Sequence, residues 1–382
     1  VKILIYTHEF PPYYGGAGIY AYELADGLYK LGQNICVLAP TFGSKDSAID
    51  KNAEFGIIRR PLRGKSILTN LLFLTQTLLK ERPDITMVVE CSAQMRAAKI
   101  MRILTSYPYI ITVHGSEIWS YFDAHKGYFN LTQKAERCMR KFFMDSRQLI
   151  AVCNSTKELI LEYLPEARGN TTVVNNGISL EAFPVLKKTE IEEQRSALRL
   201  KNKKVLLCVS RLARSKGYEV LLLAFKEILK ALPETVLLIV GEGPVKGNLE
   251  ALVKELQCDR EVRFLGKISR SELYIYYNIC DLFVLASQME AFPFVCLEAN
   301  ACGKAVVAGR TGGIPEIIED GVNGVLVDPY NANEFAKVII NLLQYDARRN
   351  AMGRNGRIRV SNEFTKIHMA KKTLKVIREI LK

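Results

Sequence analysis

Two glutamates, Glu290 and Glu298, stand eight positions apart in the stretch SQMEAFPFVCLEANACGKAVVAG, with Pro293 between them. Proline lacks an N–H and has a fixed φ, so it suits the start of a helix and breaks an interior. Glu290 is therefore expected in the loop before a helix, and Glu298 in that helix's second turn. Helical side chains lean toward the N-terminus, which turns Glu298 back toward the loop carrying Glu290. Between the carboxylates lies the helix N-terminus, whose unsatisfied N–H groups and positive dipole end attract an anion. Two hydroxyl-binding carboxylates flanking a phosphate site fit a sugar on one side and a ribose on the other. A solvated pair of glutamates at a helix start is the plainer alternative.

Other residues point the same way. The apolar run VLLCVS leads into Arg211, Arg214 and Lys216 before Gly217. A guanidinium fork beside a point charge suits a diphosphate, although loop cations are often merely solvated. In YIITVHGSEIW, His114 stands at a strand end beside Gly115, placed to bond a reacting hydroxyl or to stabilise developing charge. A core histidine is the alternative. In FPPYYGGAGIYAYEL, Gly15 precedes a GxGxxA pattern made by Gly16, Gly18 and Ala21, which alone suggests a dinucleotide fold. A long loop separates these glycines from the first strand, however, and the second strand, ICVLAP, ends without a ribose-binding acid. The glycines then let a helix N-terminus approach a phosphate or sugar, or serve only as a turn. Ile268, just past VRFLG, is placed to offer backbone to a flat base. GEGP and TGGIP mark two further tight turns.

The elements that must hold these residues are short apolar runs alternating with longer amphipathic stretches. VKILIYT, ICVLAP, ITMVVE, YIITVH, LIAVC and TTVVNN are followed by VLLCVS, TVLLIVG, VRFLG, LFVLAS, AVVAG and GVLV. Such alternation predicts α/β architecture with parallel sheets covered on both faces. The pattern pauses between Leu180 and Lys204, and 382 residues exceed what one core usually supports. Two domains are expected, 1–185 and 186–363, with a final helix over 364–382. Ligands of such proteins lie outside the strand C-termini, where the residues above stand.

Composition narrows the class. Nine cysteines without a CxxC pair sit mostly in apolar runs, and four histidines are scattered. Buried thiols in a reducing cytosol and no metal site are expected. The stretch SILTNLLFLTQTLL is too short to span a bilayer and predicts an amphipathic helix. The net charge of +13 is concentrated at the end: residues 344–382 hold eleven Lys/Arg against three acids. With Arg59, Arg60, Arg63 and Lys65, this segment is a candidate surface for anionic lipid. No nucleic-acid module accompanies it, and a solvated helix face is the alternative.

Taken in order, FPPYYGG, VHG, NNGI, SRLARSKG, GEGP, EAFPFVCLEANACGKAVV and TGGIPEII resemble the retaining glycosyltransferases of family 4, group 1. Their mark is a pair of glutamates separated by seven residues. The resemblance implies a GT-B fold: two Rossmann-like domains with parallel sheets facing across a cleft. The acceptor would bind mainly on the first domain and the nucleotide sugar on the second. It implies that Arg211 and Lys216 hold the donor diphosphate, Glu298 the ribose and Glu290 the transferred sugar. Backbone around Phe292, Pro293 and Phe294 would meet sugar and phosphate. Gly15 and Gly16 would lie against the diphosphate, the backbone of Ile268 would touch the base, and His114 would lie beside the reacting sugar. Ala291, Ser179 and Lys304 depart from the family's pattern.

The implied reaction is metal-independent hexosyl transfer from a UDP- or GDP-sugar, without a further cofactor, by front-side attack. The acceptor would be a glycan or glycolipid of cell-envelope synthesis, and the chain cytoplasmic, peripheral at the inner membrane face. A sugar-nucleotide epimerase of the same fold and a non-catalytic nucleotide-sugar sensor are the rival readings.

Overall fold

The structure is a computed structural model and describes residues 1–12, 15–43, 46–62, 67–89, 93–115, 118 and 133–382. Tyr13, Tyr14, Arg63, Lys65, Glu117 and Trp119 lie outside these. The chain divides into two compact units, Val1–Gly177 with Lys366–Lys382, and Ile178–Thr365.

The first unit is built on a parallel sheet of seven strands: β1 Lys2–Thr7, β2 Asn34–Pro40, β3 Gly56–Arg60, β4 Ile85–Val89, β5 Tyr109–Val113, β6 Gln148–Ala151 and β7 Thr171–Val173. Their order is β3-β2-β1-β4-β5-β6-β7, so the chain winds outward from β1 and then returns to the other side at β4. Right-handed crossovers therefore place helices on both faces. Every residue of β4 and β5 is buried, which is why both read as continuous apolar runs. On one face Leu74, Met101, Phe142 and Phe143 pack over Leu4, Tyr6, Val88 and Ile111. The sequence reading missed β3: it is an edge strand, GIIRR, half-exposed over Ile57–Arg60.

The second unit repeats the plan with six parallel strands: β8 Lys204–Val209, β9 Thr235–Val240, β10 Val262–Gly266, β11 Leu282–Leu285, β12 Val306–Gly309 and β13 Gly324–Val327. The order is β10-β9-β8-β11-β12-β13. Its core joins Leu206, Phe225, Ile239, Val284, Phe335 and Ile339.

The division falls at Gly177, ahead of the expected boundary at 185. Ile178 N–H donates to Phe364 O at 2.9 Å, Phe183 packs edge-on against Tyr277, and Leu186 N–H donates to Asn278 Oδ1 at 2.9 Å. These contacts fasten 178–186 to the second unit. The return falls at Thr365, just past the expected 363. There the helix Lys366–Ile380 begins with Lys366 paired to Asp26 at 2.7 Å and packs on the helix Gly16–Lys30.

Several cations of the basic C-terminal run are committed internally. Arg349 is buried and pairs with Asp346 at 2.7 Å. Arg357 donates to the carbonyls of Phe183 and Ala301. Arg359 pairs with Glu319 at 3.0 Å. In the first unit Arg59 pairs with Asp50 at 2.8 Å and donates to Pro11 O and Pro40 O. Lys371, Lys372, Lys375 and Arg378 remain exposed along the final helix. No helix among the described residues is long and apolar enough to cross a membrane.

Candidate active site

β8 and β11 are adjacent where the second sheet reverses its winding, and the loops after them carry the charged residues. After β8 the chain runs through Arg211 into a single 3-10 turn, Arg214–Lys216, and then Gly217. Gly217 has φ 64°, and a Cβ there would collide with the carbonyl of Ala286 just past β11. Glycine thus permits both the left-handed turn and the close approach of the two loops. Gln288 N–H donates to Ser215 O at 2.9 Å, completing the tie.

This juxtaposition brings Lys216 to Glu290: Nζ donates to Oε1 at 2.6 Å, with the side chains 21 and 13% exposed. Arg211 is exposed at the same strand end. The glycines of GEGP support that loop: a Cβ at Gly241 would strike Ser210 O, and one at Gly243 would strike Leu212 O. Gly312, at φ 51°, similarly packs against the carbonyl of Glu290, and Gly313 N–H donates to Ala291 O at 2.7 Å. Both turns therefore hold the loops that carry Arg211 and Glu290.

The helix Phe294–Ala301 starts as the proline implies, with Pro293 at its N-cap and no side chain capping the first turn. Phe292 and Phe294 are buried, Phe292 with its ring 5.7 Å from that of Phe364, so their backbone rather than their side chains borders the loop. Glu298 is 2% exposed. Its Oε1 accepts from Arg270 Nε at 3.2 Å and its Oε2 from Tyr277 Oη at 2.9 Å. Burial, then the adjacent Glu298 charge, pushes the Tyr277 phenol well up. The Cys296 thiol is likewise raised by burial, with Glu290 and Glu298 among the charges that add to it.

Sequence reasoning did not identify Arg270 and Tyr277. A signal existed: Arg270 opens the helix Arg270–Ile279, an end where a cation is electrostatically disfavoured unless an anion meets it. Arg270 also lies over the Phe183 ring at 5.3 Å. Ile268 is half-buried in the turn between β10 and this helix.

In the first unit, Gly15 is the N-cap of the helix Gly16–Lys30, without a side-chain cap. A Cβ on Gly15 would collide with the Glu9 carboxylate, whereas one on Gly16 would meet nothing within 4 Å. Among the described residues Gly16 thus has open space beside it, whereas the atoms facing Gly15 are the movable tip of the Glu9 side chain. His114 follows β5, its ring edge-on to Tyr20 with centroids 5.0 Å apart, and burial lowers its pKa to about 4.

Comparison with known proteins places this geometry. The family model described as "Glycosyltransferase Family 4" matches residues 14–182, and "Glycosyl transferases group 1" matches 190–359. The chain belongs to the family 4, group 1 glycosyltransferases. It is 28% identical to an uncharacterized glycosyltransferase of Methanocaldococcus jannaschii, covering 99% of this chain and 98% of that one. It is 26% identical to the GDP-mannose-dependent alpha-(1-6)-phosphatidylinositol monomannoside mannosyltransferase of Mycolicibacterium smegmatis, covering 93 and 92%. Among solved structures, sucrose-phosphate synthase of Thermosynechococcus elongatus superposes with TM-score 0.83 at 22% identity over 99 and 98% of the chains. Anabaena HepE, in complex with UDP, superposes with TM-score 0.82 at 20% identity over 99 and 100%. The fold is GT-B, two Rossmann-like domains.

Within this glycosyltransferase the three departing residues make local contacts. Lys304 Nζ donates to Asn278 O at 2.7 Å, at the C-terminus of the helix Arg270–Ile279 where a cation is favoured. Ser179 Oγ donates to Glu181 at 2.6 Å. Ala291 meets Gly313 through its carbonyl.

Proposed function

We propose that the chain is a retaining hexosyltransferase that moves a hexose from a nucleoside diphosphate sugar to a hydroxyl of a glycan or lipid-linked acceptor. One observation carries the reading. Lys216 meets Glu290 at 2.6 Å, and Glu290 lies in the loop leading to the uncapped N-terminus of Phe294–Ala301, whose second turn bears the buried Glu298. A sugar, a diphosphate and a ribose need, in that order, an acceptor, donors with positive charge, and an acceptor.

In this reading Arg211 and Lys216 neutralise the diphosphate together with the first N–H groups of the helix. Glu290 accepts from hydroxyls of the transferred sugar and Glu298 from the ribose. The backbone at Phe292, Pro293 and Phe294 lines the sugar, and that of Ile268 faces the base. Gly15, Gly16 and His114 serve from the first domain, the acceptor side. The support there is an open helix N-terminus and an imidazole kept neutral, able to donate one hydrogen bond and accept another.

The bond from C1 to the phosphate oxygen breaks as the bond from C1 to the acceptor oxygen forms on the same face. The acceptor's proton passes to the departing phosphate oxygen, so the product keeps the donor's configuration. Charge growing on the leaving group meets Lys216, Arg211 and the helix dipole, which are in place before the reaction; the scheme needs no metal. The names of relatives specify GDP-mannose and lipid-linked acceptors, and a solved neighbour holds UDP. They support a UDP- or GDP-sugar donor and a setting in glycolipid or envelope polysaccharide synthesis at the cytoplasmic membrane face.

Thermal-shift screening against UDP-, GDP- and ADP-sugars identifies the donor, and NMR of the transfer product reads its anomeric configuration. Inversion, or a requirement for divalent cation abolished by EDTA, would overturn the proposed chemistry. Stabilisation by a donor without transfer to any offered acceptor would favour a sensor instead.

A further inference from the structure

The C-terminal edge of the six-stranded sheet carries chemistry beyond the donor residues. Arg211 follows β8 and Glu290 follows β11, and next along the edge stand β12 and β13. Arg310 follows β12 and Asp328 follows β13, and a pocket of about 380 Å³ is lined by Arg310, Leu326, Asp328, Pro329 and Glu334. Its size falls within the roughly 300–1,000 Å³ of small-molecule sites, and it stands where open α/β sheets bind ligands. Glycine shapes one side: a Cβ on Gly309 would lie 2.7 Å from Ser287 O and 2.8 Å from Pro329 Cβ, so glycine lets Pro329 come close to the strand end. Thr311 Oγ1 donates to Gln288 O at 3.1 Å, and Gly312 packs on the Glu290 carbonyl. The pocket is thus fastened to the loop that carries Glu290, on the side away from β10 and Ile268.

The groups that line it decide what it can hold. Arg310 Nη2 donates to Asp320 Oδ2 at 2.7 Å and to Leu326 O at 3.5 Å, while its Nε and Nη1 make no bond among the described residues. Asp328 Oδ1 accepts from Tyr330 N–H at 3.0 Å, and Glu334 Oε2 accepts from Asp328 N–H at 3.3 Å. These bonds hold both carboxylates in place and leave one oxygen of each without a partner among the described residues. Leu326 and Pro329 supply apolar wall, and Tyr330, next to Pro329, is 68% exposed. An anion is disfavoured, because two carboxylates face it and the guanidinium is already paired with Asp320. A metal ion is disfavoured by that same guanidinium, and no group of three His, Cys, Asp or Glu among the described residues could hold one. A neutral sugar meets every condition: each hydroxyl both donates and accepts, and the C–H face of its ring packs on apolar and aromatic surface.

We infer that this pocket is a second carbohydrate subsite, holding a sugar unit of a glycan acceptor while the donor occupies the loops after β8 and β11. The acceptor's part in the reaction rests on the transferase reading, whereas binding of a neutral sugar is measured without turnover. Saturation-transfer NMR on the full chain, with excess UDP and GDP present, should show contact with at least one of a set of neutral gluco-, galacto- and mannodisaccharides. Tyr330 and Asp328 are exposed, so Tyr330→Ala with Asp328→Asn should leave the fold intact and weaken that binding about tenfold. The same variant should raise the KM of an oligosaccharide acceptor several-fold, with kcat, donor KM and thermal stabilisation by the nucleotide sugar unchanged. Wild type that contacts none of the disaccharides, or a double variant that binds them as wild type does, overturns the inference. So does inorganic phosphate or Ca²⁺ that binds wild type and not the double variant, which would assign the pocket to an ion. Disaccharide binding that the double variant loses, in a protein that no nucleotide sugar stabilises, would support the pocket and count against the donor reading alone.

Discussion

Lys216 Nζ and Glu290 Oε1 lie 2.6 Å apart although 74 positions separate them, because their loops follow the adjacent strands β8 and β11. With both side chains largely shielded, each charge compensates the other in the absence of substrate. Lys216→Met should strand Glu290 and cost about 1–3 kcal/mol of stability, while Lys216→Met with Glu290→Gln should recover much of it. Neither variant should regain transfer, which is expected to fall by about 10²–10³-fold or more without the cation. Chemical denaturation and a transfer assay on wild type and both variants separate the structural from the catalytic share. Equal activity in Lys216→Met and wild type would remove Lys216 from the mechanism.

Arg270 and Tyr277 hold both oxygens of Glu298, so their loss should appear in donor binding before it appears in turnover. Tyr277→Phe keeps the ring among Phe183 and Phe283 and removes only the hydroxyl. It should cost about 1 kcal/mol of stability and raise the donor KM several-fold, with kcat less affected. Arg270→Lys keeps a charge but loses the fixed Nε donor and should act in the same direction. Steady-state kinetics with wild-type donor and a 2′-deoxyribose donor test the placement: the variants should discriminate less between the two. Unaltered discrimination would mean that Glu298 does not address the ribose.

What the sequence disclosed depended on how local each signal was. β4 and β5 are buried along their whole length and declare themselves as apolar runs, whereas β3 carries Arg59 and Arg60 on a sheet edge and does not. Pro293 announces the helix start that Phe294–Ala301 adopts. The contact of Lys216 with Glu290 was not legible, because strand order sets it and no local pattern encodes that order. Arg270 was overlooked although its place at a helix start was a local hint, because its partner Glu298 is 28 positions away. Charge counting does not separate the cations at the C-terminus: Arg349, Arg357 and Arg359 bind their own fold, whereas Lys371, Lys372, Lys375 and Arg378 are exposed. The helix over 67–81 was expected to be amphipathic, yet leucines stand on its outer side as well.

The His114 pKa, lowered to about 4 by burial, sets a sign for pH dependence. The unfolded chain binds a proton at this histidine below about pH 6.5, whereas the folded chain does so only near 4. Between those values the unfolded state holds more protons, so stability rises with pH and is lost as pH falls from about 6.5 to 4, by at most about 3 kcal/mol. His114→Gln should flatten that part of the stability curve. Histidine NMR should find one imidazole still neutral at pH 5, and no step in activity above pH 5 should trace to His114. A His114 resonance titrating near 6.5 would contradict the burial.

Gly27 tests how the final helix is docked on the first unit. A Cβ at this position would lie 2.6 Å from Lys366 O and 3.0 Å from Ala370 Cβ, and a carbonyl in the backbone of a packed helix cannot step aside as a side-chain tip can. Gly27→Ala gains about 1 kcal/mol of helix propensity, but overpacking of this kind typically costs about 1–3 kcal/mol. Separating the helices would also stretch the 2.7 Å contact of Lys366 with Asp26. The net effect should therefore be destabilising, by about 1–2 kcal/mol, and confined to the first unit. Hydrogen exchange should accelerate along Lys366–Ile380 and Gly16–Lys30 while the six-stranded sheet keeps its protection. A stabilised Gly27→Ala protein would show that the two helices have room to part.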